Sequence, residues 1–365
     1  MADGPVRSPA RTRRPTQPRD AEITVGGRIP VGAVFHEGVE VAAAARTAAD
    51  RVRRPAGAAS LWRDAWTELR HNRLFVVAAG LIAVLMVMAA FPQLFTTFYP
   101  GNPDPRSCSL VNSLQRPSAQ HWFGFDLQGC DYYTRTVYGA RVSMVIGISV
   151  VGIAAAIAVV FGSLAGYYGG VLDAIVARIT DVWLAVPVIL GGVVAITALR
   201  NPDGHLVAGT LARLFGAIDR VTGAPGLGVV AFVLTILGWP TMLRLMRSSV
   251  VEKKEAHYVD AALALGASDL RIIVAHILPN AVAPVMAYAT ISVGLIIAAE
   301  ATLSFLGIGL QLPAISWGLM IHAAQYRVLT APHLVLFPGV LLTITVFSFV
   351  LMGDAIRDGL DPRLR

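Results

Sequence analysis

Residues 142–168 read VSMVIGISVVGIAAAIAVVFGSLAGYY and carry no charged side chain. An α-helix rises about 1.5 Å per residue, so about 20 apolar residues cross the roughly 30 Å hydrocarbon core of a membrane. This stretch is long enough, and it predicts a membrane-spanning helix. Five further stretches meet the same requirement, at residues 74–95, 179–199, 227–246, 281–306 and 333–353. Pro187 and Pro240, each near glycines, predict kinks or breaks in the third and fourth spans.

The composition supports a membrane protein. Apolar residues make up 55% of the chain and charged residues 15%, against about 45–50% and about 25% in soluble domains. We therefore expect an all-α, polytopic membrane protein with six transmembrane helices. The net charge of +7 is better explained by membrane topology than by a nucleic-acid partner, so no nucleic acid is expected.

The polar segments predict how the chain is organised around these spans. Residues 1–60 are rich in Pro, Arg, Ala and Gly, which predicts a disordered cytoplasmic arm without a cleavable signal peptide. Residues 61–73 place Leu61, Trp66 and Leu69 on one face and predict an interfacial helix. The remaining segments are the first span (74–95), an extracytoplasmic loop (96–141), a core with the other five spans (142–353) and a tail (354–365).

Lys and Arg set the expected orientation. They concentrate in the segments that lie on the same side of the membrane as the amino terminus. Because cytoplasmic loops carry the excess of these residues, both termini are expected in the cytoplasm.

The polar segment at residues 247–280 is far longer than a turn between two helices requires. Helix formers at residues 250–265 predict a first short helix, and Gly266 allows a sharp turn. Ser268 is expected to cap a second helix that carries Leu270, Ile273 and Ile277 on one face. Pro279 is expected to mark its end.

Within this segment, YVDAALALGASDLRIIVAHILPN (258–280) resembles the loop by which permease subunits of ABC importers dock onto their ATPases. In that family Glu-Ala-Ala is followed after three residues by Gly, and after nine more by Ile-x-Leu-Pro. This chain has His276 where Ile is usual and Asp where Glu is usual. The matching positions, which the resemblance assigns to ATPase coupling, are Asp260, Ala261, Ala262, Gly266, Leu278 and Pro279. The alternative is an amphipathic loop that lies on the membrane.

Four other stretches extend the resemblance over about residues 70–365. They are HWFGFDLQGCDYYTRTVYGARVSM (121–144), GSLAGYYGG (162–170), EATLSFLGIGLQLPAISWGLM (300–320) and GDAIRDGLDPRLR (353–365). Together they are similar to the C-type permease subunit of dipeptide and oligopeptide ABC importers. The arm 1–60 and the outer loop 200–226 are longer than is usual for that family, and Cys130 stands where it usually has Arg.

The resemblance implies the type I ABC importer permease fold and half of a peptide translocation pathway. The implied partners are a B-type permease subunit, two ABC ATPase domains, an extracytoplasmic peptide-binding protein and the lipid bilayer. The chain is not expected to be an enzyme or to bind a cofactor or metal, and ATP and Mg²⁺ belong to the ATPase subunits. A P-loop needs Gly-Lys-Ser/Thr, and the two lysines, Lys253 and Lys254, stand in VEKKE. Nickel or glutathione import, an ATP-independent secondary transporter and a membrane-bound enzyme are the alternatives.

Individual side chains add three expectations. Cys108 and Cys130 fall in the first outer loop, on the oxidising side, which favours a disulfide over two unpaired thiols. Glu300 lies near the outer end of the fifth span and must face protein or water, either in the substrate pathway or as a structural cap or partner of an arginine. Gly162 and Gly166 predict close helix packing inside the subunit.

Overall fold

A computed structural model describes residues 66–97, 99–101, 104–200 and 210–360. The predicted arm 1–60, residues 61–65 of the predicted interfacial helix, residues 201–209 of the outer loop and residues 361–365 of the tail lie outside the described residues. All regular structure in the described ranges is helical. Residues 66–69 form a short helical stretch, which residues 70–72 separate from the first span.

The described helices are joined by connections of unequal length. In chain order they are α1 (Arg73–Ala90), α2 (Pro92–Thr96), α3 (Tyr132–Tyr168), α4 (Gly170–Leu184), α5 (Val188–Arg200), α6 (Thr210–Thr222), α7 (Leu227–Lys254), α8 (His257–Ala264), α9 (Asp269–Arg271), α10 (Leu278–Ala281), α11 (Ala283–Phe305), α12 (Trp317–Ala324) and α13 (His333–Leu360). A π-helical stretch, Ile272–Ile277, connects α9 to α10.

Among the described helices, α1, α3, α7, α11 and α13 are each long and apolar enough to cross a membrane. The pair α4 and α5 meets the same criterion only when the two helices are taken together, with an 89° bend that makes them a broken span or a re-entrant loop. The all-α architecture is thereby confirmed, with five spans and a sixth where the bent pair counts as one.

The two prolines behave differently from each other. Pro187 lies in the bend between α4 and α5, as predicted, because it has no N–H and disfavours helix in the residue before it. Pro240 lies inside α7, which runs unbroken from Leu227 to Lys254. The helix is therefore not broken at Pro240, where α7 packs along α3 and α5, and a kink there stays a prediction.

Several helices are longer than the apolar stretches that predicted them. α3 begins at Tyr132 rather than at residue 142, because the Asp131 side chain accepts a hydrogen bond from the Thr134 N–H at 2.9 Å and caps the helix. α7 extends past the predicted end at residue 246. The apolar criterion ends where charged residues become frequent, from Arg247 onward, whereas backbone hydrogen bonding continues.

α3 and α7 pack closely against each other. A methyl group on Gly162 would lie 2.9 Å from the Met246 Cβ, and one on Gly166 would lie 2.9 Å from the Arg247 carbonyl oxygen. Both distances are too short for any side chain larger than hydrogen. The predicted glycine pair therefore packs two helices of one subunit together.

The segment that connects α2 to α3 is compact and polar, and it lies at one end of the bundle. A disulfide joins Cys108 to Cys130, and Arg135 pairs with Asp126 at 2.8 Å. The buried Asp131 carboxylate accepts from the Tyr99 hydroxyl and contacts His121 Nδ1 at 2.8 Å. Burial, together with this hydrogen bond, raises the pKa of Tyr99, so its hydroxyl remains protonated and donates.

Candidate functional site

The segment between α7 and α11 lies at the opposite end of the bundle from the disulfide. α7 ends at Lys254, α8 occupies His257–Ala264, and the chain reverses at Gly266 before α9 begins at Asp269. The single helix expected over residues 250–265 is therefore interrupted. Ala256, with a ψ of 138°, is extended and separates α7 from α8.

Gly266 makes the reversal possible. Its φ is +77°, in the left-handed region that favours glycine, and no atom lies within 4 Å of the position of a Cβ. The Gly266 N–H donates to the Leu263 carbonyl at 2.9 Å and the Ala267 N–H to the Ala262 carbonyl at 3.1 Å. This pair of bonds is the Schellman motif, which ends a helix at a glycine. Gly266 is thus required for its backbone conformation rather than for space.

One face of the segment is buried against the bundle. Val259 and Ala262 of α8 and Ile272, Ile273 and Ile277 of the π-helical stretch join an apolar cluster with side chains from the ends of α3 and α7. Burying such side chains stabilises the segment by about 1.5–3 kcal/mol each. The segment therefore has a defined position on the bundle.

The other face is exposed and partly apolar. The side chain of Leu265 is 89% exposed, that of Leu270 70%, and Leu263 is exposed as well. We call these three side chains the loop surface. Leu270 was expected to share a face with Ile273 and Ile277, which is wrong. From Ile272 the backbone widens to π-helical bonding, so residues three apart no longer lie on one side.

The six positions assigned by resemblance divide between the two faces. Asp260, Ala261 and Gly266 are exposed, whereas Ala262 is buried. Leu278 and Pro279 lie half-buried at the start of α10. The exposed members lie near the loop surface, and the other three hold the segment to the bundle.

Of the two predictions for the ends of the second helix, one is confirmed in position and one is wrong. Ser268 occupies the N-cap position of α9, as expected, but its side chain makes no capping hydrogen bond, and its carbonyl accepts from the Ile272 N–H at 3.0 Å. Pro279 does not end the helical path, which continues through α10 into α11. The Leu278 N–H bonds to the Ile273 carbonyl in a wider turn just before the proline, and this turn accommodates the missing N–H.

Polar contacts tie the segment to α3, and sequence reasoning missed them. The Tyr167 hydroxyl at the end of α3 donates to Asp269 Oδ1 at 2.9 Å. The Lys254 ammonium donates to the Tyr167 carbonyl at 2.5 Å and lies 5.3 Å from the centre of its ring. The sequence did contain a signal for these contacts. The two tyrosines in LAGYYGG place polar hydroxyls at the end of a long apolar stretch.

Ion pairs join α4 to α7. Arg178 and Asp181 lie three residues apart on α4, but Asp181 pairs with Arg244 of α7 at 2.6 Å. Asp173 of α4 receives two hydrogen bonds from Arg247. Both arginines belong to α7, which packs against α4, so tertiary packing rather than helical spacing selects the partners.

Glu300 is enclosed in the bundle near the end opposite the loop surface. Its side chain is 0% exposed, and its Oε1 accepts from the Ser304 hydroxyl at 2.7 Å and the Ser316 hydroxyl at 3.1 Å. Ser304 also accepts from the Leu310 N–H at 3.0 Å. These contacts tie the segment after α11 to that helix, as the structural interpretation of Glu300 requires. A role in the substrate pathway stays a prediction.

Metal ligation is not a feature of the described ranges. Within them, no group of three or more His, Cys, Asp or Glu side chains is arranged to hold a metal ion.

The chain matches two models of known families. Residues 158–365 match the family described as binding-protein-dependent transport system inner membrane component. Residues 60–117 match the N-terminal transmembrane domain of oligopeptide transport permease C. The chain therefore belongs to the family of binding-protein-dependent transport inner membrane components, the permeases of ABC transporters.

Individual relatives cover most of the chain. It is 36% identical over 308 residues to the dipeptide transport system permease protein DppC of Alkalihalophilus pseudofirmus, covering 84% of this chain and 92% of the relative. It is 34% identical over 306 residues to the oligopeptide transport system permease protein OppC of Bacillus subtilis, covering 84% and 91%. It is 33% identical over 317 residues to the glutathione transport system permease protein GsiD of Escherichia coli O157:H7, covering 87% and 93%. The resemblance to C-type permease subunits is confirmed.

Proposed function

We propose that this chain is one of two permease subunits of an ATP-driven importer of short peptides, and that a partner ATPase docks on the loop surface. The observation that carries the proposal is the exposure of Leu265 and Leu270 on a segment whose other face is fixed to the bundle. Apolar side chains displayed on a rigid protrusion are typical of protein docking sites.

Charge and chemistry support a cytoplasmic position for this surface. Lys253, Lys254 and Arg271 lie next to it, and cytoplasmic segments carry the excess of such residues. The disulfide lies at the opposite end, and disulfides persist on the oxidising side of a bacterial membrane. Gly359 of α13 lies against the side chain of Leu69, so the two ends of the described chain lie together. Both termini are then cytoplasmic.

The proposed substrate follows from the relatives. The named relatives are dipeptide, oligopeptide and glutathione permeases, and all three of these solutes contain amide-linked amino acids. An extracytoplasmic binding protein would deliver the peptide at the disulfide end, and a B-type permease would form the other half of the pathway. ATP and Mg²⁺ would bind to the two ATPase domains.

The mechanism we propose is alternating access. Closure of the ATPases would pull on the loop surface, and the buried face and the Tyr167–Asp269 hydrogen bond would carry that movement to the spans. α3 and α7 would move as one body because their glycine contact leaves no room for sliding.

Replacing Leu265 or Leu270 by Asp tests the docking surface. We expect each variant to insert in the membrane normally but to lose co-purifying ATPase and peptide uptake. Leu329→Asp is the matched control, because Leu329 is 99% exposed in the segment before α13, at the other end of the bundle. Full recovery of ATPase with both loop variants would contradict the proposal. Peptide uptake by the chain alone in liposomes would instead support a secondary transporter.

A further inference from the structure

A groove lies between α1 and α3, at the end of the bundle opposite the loop surface. α6 and the first residue of α7 close one side of it, and its volume is about 590 Å³. Sites for small organic ligands have volumes of about 300–1,000 Å³. The groove is therefore large enough to hold part of an amphiphile.

The walls of the groove are apolar and open to the outside of the subunit. Met86 of α1 and Val145 and Ile148 of α3 line it and are exposed, and Val221 of α6 is 88% exposed at its edge. Because α1 and α3 are long and apolar enough to span a membrane, Met86, Val145 and Ile148 would face hydrocarbon rather than water. An acyl chain is the natural neighbour for such a wall.

A single charge stands at the polar end of the groove. Arg141 Nε donates to the Ala89 carbonyl and Nη2 to the Ala90 carbonyl, both at 2.9 Å. These carbonyls belong to the last residues of α1, so the guanidinium lies where that span reaches the membrane boundary. Among the described residues that line the groove, Arg141 carries the only charge.

The guanidinium retains hydrogen-bonding capacity in this position. Arginine has five N–H donors in a planar fork, and the two carbonyls of α1 use two of them. A phosphate diester matches both the charge and the geometry of the remaining donors. At the membrane boundary, lipid headgroups supply that chemistry.

We propose that the α1–α3 groove binds an anionic glycerophospholipid. The phosphate contacts Arg141, and an acyl chain lies along Met86, Val145 and Ile148. Charge complementarity selects a lipid over a neighbouring apolar helix, which would leave the guanidinium without a counter-ion. The apolar wall selects a lipid over a free phosphate ion.

The test measures lipid retention by the purified protein together with the subunits that co-purify with it. After reconstitution with equimolar phosphatidylglycerol and phosphatidylcholine, native mass spectrometry counts the lipids that remain bound. We expect the wild type to retain phosphatidylglycerol preferentially and Arg141→Gln to retain about tenfold less, as loss of a charged hydrogen bond implies. Arg178→Gln, which removes an exposed charge of α4 outside the groove, should retain the wild-type amount.

A second variant separates binding from stability. Val145→Trp fills the groove but leaves the bonds from Arg141 to Ala89 and Ala90 in place, and we expect it to retain as little phosphatidylglycerol as Arg141→Gln. Equal retention by the wild type and both variants would overturn the proposal. Inorganic phosphate that raises the melting temperature as much as phosphatidylglycerol does would also overturn it. Efficient cross-linking of Ile148→Cys to another subunit would overturn it as well, because it would show that protein covers the groove.

Discussion

Tyr167, the penultimate residue of α3, donates a hydrogen bond to Asp269, the first residue of α9, with 2.9 Å between the oxygens. Tyr167 belongs to the long span α3. Asp269 belongs to the part of the loop that follows the reversal at Gly266. Their contact joins the part of the loop that follows Gly266 to the end of α3.

Tyr167→Phe removes this hydrogen bond and keeps the ring. We expect the variant to lose about 1 kcal/mol of stability, and to couple ATP hydrolysis to peptide uptake less efficiently because α9 is no longer held to α3. Tyr168→Phe is the control, since the Tyr168 side chain is half exposed next to it. The ratio of peptide transported to ATP hydrolysed should fall for the first variant alone. An unchanged ratio would show that the bond does not transmit movement.

Substitutions at Gly266 test whether its backbone conformation or the volume of a side chain restricts this position. With φ at +77° and no atom near a Cβ, the site accepts volume but disfavours L residues. Gly266→Asn should be tolerated because Asn adopts this conformation readily, whereas Gly266→Val should cost about 1–2 kcal/mol or more. Binding of the ATPase in detergent should decrease in the order Gly, Asn, Val. Equal loss with Asn and Val would point to volume as the cause.

The glycine contact between α3 and α7 predicts a sharp difference between two glycines of one helix. Gly166→Leu places a side chain against the Arg247 carbonyl, 2.9 Å from its Cβ, and should prevent assembly of the bundle. Gly152→Ala has open space around the new methyl group and should be neutral or stabilising by up to about 1 kcal/mol. Thermal unfolding in detergent measures both. Similar melting temperatures for the two variants would contradict the packing.

Variants of Glu300 distinguish its two interpretations. Glu300→Gln keeps an oxygen that accepts from Ser304 and Ser316, so we expect native stability and native transport if the side chain is a structural anchor. Glu300→Ala leaves both hydroxyls unsatisfied, which costs about 1–3 kcal/mol. If Glu300 attracts the ammonium group of a peptide instead, Glu300→Gln should fold normally and lose uptake.

The disulfide should stabilise the segment between α1 and α3. It closes a sequence separation of 22 residues, and a loop of that length corresponds to about 3 kcal/mol of stabilisation. The double variant Cys108→Ser, Cys130→Ser should unfold at a lower temperature. Alkylation of the wild-type thiols should require prior reduction. Alkylation of both thiols in freshly isolated, unreduced membranes would contradict the bond.

The number of spans could be predicted from the sequence because length and apolarity alone determine whether a segment crosses a membrane. The ends could not, since Asp131 caps α3 through a local hydrogen bond that an apolar criterion does not detect. The different outcomes at Pro187 and Pro240 could not be predicted from the sequence either. Both prolines lie near glycines in apolar stretches, but the helix breaks at Pro187 and continues through Pro240, where α7 packs against α3 and α5.

For the loop, spacing predicted the reversal at Gly266 because a left-handed conformation has a direct sequence signal. The exposure of Leu270 depends on the π-helical stretch that follows it, and the bond from Tyr167 to Asp269 joins residues far apart in the chain. Such contacts are products of the tertiary structure and have no local pattern.

The 89° corner between α4 and α5 has a consequence for hydration. Where a spanning helix breaks, amide and carbonyl groups lose their partners within the helix, and hydrocarbon supplies none in exchange. If this pair crosses the membrane, the unpaired backbone groups around Pro187 need water or the polar groups of protein as partners. The surface beside this corner would then be hydrated or covered by protein rather than by acyl chains.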